Sequence, residues 1–69
     1  MIPLTDRQKE VLEVIRKYIA EHEYSPTYQE LADILGMYLK AVYDHIRALE
    51  RKGWITKIDK KPRTIVILK

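Results

Sequence analysis

No cysteine occurs among the 69 residues, so neither a disulfide framework nor a thiolate metal site can reinforce the fold. A chain this short buries a modest share of its surface, which leaves a marginal core and little room for an enclosed catalytic pocket. Nothing resembles a signal peptide, and no apolar run approaches the length of a bilayer span. The expectation is a soluble cytoplasmic protein with no membrane partner. Serine occurs once, at Ser25 before Pro26, with no base evident beside it, so nucleophilic catalysis lacks support. His22 and His45 fall on different helical patterns and lack the ligand company of a metal site; each is expected to be partly buried and hydrogen-bonded. The sequence therefore predicts no enzyme, no metal, no cofactor and no small-molecule substrate.

What is present is unevenly distributed charge. The net charge is +3. Residues 1–36 balance to −3, whereas residues 37–69 balance to +6 through Lys40, Arg47, Arg51, Lys52, Lys57, Lys60, Lys61, Arg63 and Lys69. A one-sided cation suits a polyanion, although a solvated basic surface would read the same from charge alone.

Helix signals are strong. Thr5 with Gln8 forms a capping box, and Val11, Ile15, Tyr18 and His22, widened by Leu12 and Ile19, make one apolar stripe; a helix over about 6–22 follows. Pro26 interrupts, biasing Ser25 toward an extended backbone. A second capping box, Thr27 with Glu30, opens a helix over about 28–35 whose apolar face is Leu31, Ile34 and Leu35, and Gly36 stops it. Leu39, Val42, Ile46 and Leu49 then define a third helix over about 39–52. Such a tight helical connection around a glycine fits a helix-turn-helix, whose second helix is the one offered to the major groove. After Gly53 the pattern becomes strand-like. Residues 54–58 and 64–68 are rich in β-branched side chains, and Asp59 to Arg63 between them is turn-like, which predicts a hairpin with Lys60, Lys61 and Arg63 at its tip and Trp54 packing at its base. The fold class is mainly α (α+β): one domain of three helices and a C-terminal two-stranded hairpin, without repeats or an internal linker.

Four segments carry a family resemblance: Thr5-Asp6-Arg7-Gln8, Pro26-Thr27-Tyr28-Gln29-Glu30-Leu31, the run from His45 through Gly53 to Ile55, and Lys61-Pro62-Arg63-Thr64-Ile65. In order and approximate spacing they resemble the N-terminal domain of the LexA repressor family, and the likeness covers nearly the whole chain. The resemblance implies a winged helix-turn-helix with a hairpin wing, a transcriptional repressor domain of the bacterial DNA-damage (SOS) response that binds double-stranded DNA as a homodimer on a palindromic operator. Two departures stand out. Residues 36–45 look one residue shorter than in the family, and Met37, Tyr38, Leu39, Lys40 and Ala41 stand where the family places small polar residues. The family's second, peptidase-like half has no counterpart in this sequence, so the chain reads as a fragment, a stand-alone relative or an engineered derivative.

With Val42, Ile46 and Leu49 facing the core, the opposite side of the third helix carries Lys40, Asp44, Arg47 and Arg51, with Ala41, Tyr43 and Ala48 at its margins and Lys52 at its end. These cations can neutralise phosphates, and Arg47 or Lys40 can also donate to guanine O6 and N7. Adenine has no bidentate amide reader here, because the chain lacks asparagine and residues 37–52 lack glutamine, serine and threonine. Tyr43 can reach a thymine methyl or a phosphate, and Asp44 can accept from cytosine N4. At the wing, Lys60, Lys61 and Arg63 can grip phosphates or enter the minor groove. Arg7 and Thr27 sit at helix N-termini, where free amides favour an anion, although capping alone accounts for Thr27. A second reading uses Met37, Tyr38, Leu39 and Tyr43 as an apolar and aromatic patch for protein interaction or self-association on the same fold.

Overall fold

The computed structural model describes residues 3–68 and contains three helices followed by a two-stranded antiparallel hairpin: α1 Asp6–His22, α2 Tyr28–Leu35, α3 Leu39–Arg51, β1 Ile55–Thr56 and β2 Val66–Ile67. Both expected capping boxes form. The Thr5 hydroxyl accepts from the Gln8 amide at 3.2 Å while the Gln8 side chain accepts from the Thr5 amide, and Thr27 and Glu30 repeat the exchange at the start of α2. Gly36 ends α2 in the left-handed region, at φ 65°, and the Met37 amide closes back onto the Ala32 carbonyl. Only three residues then separate α2 from α3.

All three helices pack on one another around Val11, Leu12, Ile15, Leu31, Ala32, Val42, Ile46 and Leu49, and Ile55 and Ile65 of the hairpin complete this buried set. Four expectations are corrected. Ile34 is 54% exposed and Ala32 takes its place in the core, because α2 turns its 31/32/35 edge inward. Leu39 is 38% exposed, since it opens α3 before the helix reaches the core. His22 lies in the last turn of α1 and is exposed, stacked on Tyr18 at 4.0 Å with Nδ1 3.0 Å from the Tyr18 carbonyl.

The fourth correction concerns the strands, which are two residues each rather than five. Trp54 still belongs to the end of α3: its amide donates to the Leu49 carbonyl, and Gly53 supplies the required positive φ of 84°. Beyond Thr56 a side chain replaces the ladder. The Ile58 amide donates to Thr64 Oγ1 at 3.0 Å, and that hydroxyl lies 3.2 and 3.0 Å from the Ile58 and Lys61 carbonyls, to one of which it donates at a time. The register, Ile55 opposite Ile67 and Thr56 opposite Val66, turns the isoleucines inward and Thr56 and Val66 to solvent.

Candidate nucleic-acid interface

The exposed side of α3 follows from the buried one. With Val42, Ile46 and Leu49 inward, Lys40, Tyr43, Asp44, Arg47 and Arg51 are exposed, and Ala41 and Ala48 sit at the margins. Tyr38, the N-cap of α3, is 87% exposed and provides no side-chain cap, unlike Thr5 and Thr27 in front of α1 and α2. Tyr43 is half-exposed and meets Tyr28 of α2 edge-to-face at 4.7 Å. Met37 separates from the apolar patch it was expected to join, because it packs against the core.

Between α3, the start of α2 and the hairpin lies a cleft of about 660 Å³, lined among others by Thr27, Tyr43, Arg47, Lys57, Lys60 and Lys61. On its floor is Lys57, whose side chain is only 15% exposed and pairs with Asp59 at 2.6 Å and Glu50 at 3.8 Å. The Asp59 hydrogen bond, foremost, raises the Lys57 pKa, and Lys57 in turn lowers that of Asp59. Burial raises the Tyr28 hydroxyl against the opposing charge of the same lysine. This lysine is thus a strut between α2, α3 and the hairpin.

Several cations expected at the interface are engaged by other groups of the chain. Lys52 Nζ donates to Gln8 Oε1 at 2.7 Å and to the Pro3 carbonyl at 3.2 Å, tying the end of α3 to the start of α1. Arg7 pairs with Glu10 at 2.6 Å and reaches the Leu35 carbonyl at the end of α2. Arg63 is the most engaged. Its guanidinium grips Glu30 in a fork, Nη1 to Oε1 and Nη2 to Oε2, both at 3.0 Å. Nη1 also lies 3.1 Å from the Ser25 carbonyl and 3.4 Å from the Tyr18 hydroxyl, and the guanidinium carbon stands 4.6 Å above the Tyr24 ring. With two N–H bonds on that nitrogen, the Tyr18 contact is the weakest of the three. Among the described residues the side chains of Lys40, Arg47, Arg51, Lys60 and Lys61 make no hydrogen bond or ion pair, although Lys60 sits close enough to Asp59 to lower its pKa. Lys69 lies outside the described residues.

Charge and periodicity had singled out Arg63 but not its partners. Glu30 was legible only as a capping residue, and nothing local marked Ser25, Tyr18 or Tyr24 as its neighbours. The Arg63 hydrogen bonds, foremost, hold the Glu30 carboxyl down to about 2 from an ordinary 4.5, and Glu30 raises the Arg63 pKa. A depressed carboxylate contributes stability above its unfolded pKa and loses it as pH falls through the folded value. Thermal unfolding of the wild type between pH 4.5 and 2 is therefore expected to include a component that Glu30→Gln lacks. Both side chains are about a third exposed, so the component is modest and shrinks in salt. Parallel acid limbs for the two proteins would contradict it.

Three helices, a three-residue turn into an exposed basic helix and a hairpin flanking it define a winged helix-turn-helix. The chain belongs to the LexA DNA binding domain family, whose profile matches residues 1–64. It is 47% identical over 66 residues to the LexA repressor of Alcanivorax borkumensis, covering 94% of this chain and 32% of that protein. With the LexA repressor of Sorangium cellulosum it shares 46% over 63 residues, 90% of this chain and 27% of that protein. With that of Leptospira biflexa it shares 38% over 69 residues, 100% of this chain and 34% of that protein. The chain thus spans about a third or less of these relatives. No helix of the described residues is long and apolar enough to cross a membrane.

Proposed function

We propose that this chain binds double-stranded DNA as the DNA-reading part of a transcriptional repressor, with α3 in the major groove and the hairpin wing on the backbone or in the adjacent minor groove. The carrying observation is the placement of Lys40, Arg47, Arg51, Lys60 and Lys61 around one cleft and one helix face, without internal ion pairs among the described residues, in a chain of the LexA DNA binding domain family. Arg47, Lys40 and Asp44 are the candidate base readers, Tyr43 an apolar contact, and Arg51, Lys60 and Lys61 phosphate contacts. Acting on bacterial DNA as a homodimer on a palindromic site, such a repressor works in the cytoplasm.

Titrating labelled duplex at several salt concentrations tests this reading. Five available cations give a log Kd against log salt slope of magnitude about 4.5 per chain, whereas nine would give about 8. Affinity indifferent to salt would sink it.

A second reading, self-association, is favoured by the exposure of Tyr38 together with Leu39 and Tyr43. Its signature is a dimer by light scattering that is lost on Tyr38→Ala and accompanied by no DNA binding.

A further inference from the structure

We propose that Arg63 and Glu30 form a latch that aims the wing: Arg63 acts by orienting Lys60 and Lys61 rather than by touching DNA itself. This rests on the DNA-binding reading above and names the wing's positioning residues.

The hairpin has little to hold it upright. Its ladder is two residues long on each strand, and the tip from Lys57 to Thr64 closes through the Thr64 hydroxyl, one backbone bond from the Lys61 amide to the Ile58 carbonyl and the Lys57–Asp59 pair. A two-stranded hairpin of this size is not rigid by itself. Its fixed points lie on other elements. Arg63 makes a two-pronged ion pair with Glu30, the same carboxylate that accepts from the Thr27 amide at 2.8 Å, so the capping box of α2 and the wing share one anchor. Ser25 grips the following turn twice: its carbonyl accepts from Arg63, and its buried hydroxyl accepts from the Ile65 amide at 3.2 Å. The Tyr24 ring supports the guanidinium from one face.

Arg63 holds this position in a left-handed backbone conformation, φ 58°, directly after Pro62. For a side chain with a Cβ that conformation is strained, and such strain persists only where surrounding contacts fix it. Lys60, at φ 61°, is the second such residue in the same loop. Both belong to the segment that carries Lys60 and Lys61 over the cleft opposite Arg47. A guanidinium forked onto Glu30, bonded to the Ser25 carbonyl and stacked on Tyr24 cannot turn that fork to a phosphate without releasing the segment that presents the two lysines.

Glu30→Gln separates the two roles by sign. It keeps the size of the side chain and an oxygen for the capping box, and it removes a negative charge. If Arg63 were a phosphate contact restrained by Glu30, the variant would bind DNA more tightly. As a latch, the variant binds a labelled duplex of about two helical turns roughly tenfold more weakly, with the salt slope reduced by nearly two as Lys60 and Lys61 lose their aim. Adding Glu30→Gln to Lys60→Ala/Lys61→Ala then costs little more. Arg63→Lys keeps the charge but loses the fork, and weakens binding in the same way.

Amide order parameters of Lys60, Lys61 and Arg63 provide a readout without DNA: they fall from about 0.85 toward 0.6 in Glu30→Gln. Binding is compared below the melting temperature of every variant. Equal or tighter binding by Glu30→Gln with an unchanged slope, or a wing as ordered as in the wild type, overturns the latch. Should the wild type itself not bind duplex, the DNA-binding reading fails, and the order parameters still decide whether Glu30 fixes the wing.

Discussion

Ile46→Ala is expected to remove about 2–5 kcal/mol of folding stability, the usual cost of cutting a buried isoleucine to alanine. A chain of 69 residues has roughly 3–10 kcal/mol in total, so the variant is largely or wholly unfolded near 37 °C. The reason lies in the position. Ile46 is 1% exposed at the centre of α3, one of ten buried apolar residues among those described, and no disulfide compensates for a cavity there. Alanine is the better helix former, so loss of α3 propensity cannot be the cause. Urea unfolding followed by circular dichroism measures the effect. A loss below about 1 kcal/mol would mean that the core closes around the missing atoms, contrary to the tight packing expected of protein interiors.

One residue further along, Arg47→Ala is expected to do the reverse, leaving stability within about 0.5 kcal/mol and weakening duplex binding by about 1–3 kcal/mol, roughly 5- to 150-fold. Arg47 is exposed, lines the cleft opposite the wing, and its side chain makes no hydrogen bond or ion pair among the described residues. Competition titration against the wild type checks the loss. A salt slope smaller by about one marks a phosphate contact, whereas an unchanged slope with relaxed preference at one base pair marks a guanine contact. Unaltered affinity would remove α3 from the interface.

The contrast between these neighbours was legible in advance, because the 3.6-residue period of α3 separates Ile46 from Arg47 without knowledge of any partner. Helix boundaries were legible for the same kind of reason. Thr5, Thr27 and Gly36 act within a turn of where they stand, and the structure places α1 and α2 where those residues predict. The strands were over-read: the β-branched Ile58, Thr64 and Ile65 favour extended backbone, but a side-chain hydroxyl and two left-handed residues close that end of the hairpin instead.

The site was legible as a region and less so residue by residue. Charge counting gave nine cations to one half of the chain, and it treated Lys52, Lys57 and Arg63 like Arg47 and Lys60. Whether a cation is available depends on what stands beside it, and Glu30 is 33 positions from Arg63 while Gln8 is 44 from Lys52. By itself the sequence determined the three helices, the central residues of their inward faces and the family, since caps, periods and motif order are local properties of the chain. Only the tertiary structure decided which positive charges face outward and which brace the wing. An ion pair is set by a few ångströms of space, and no spacing along the sequence encodes that distance.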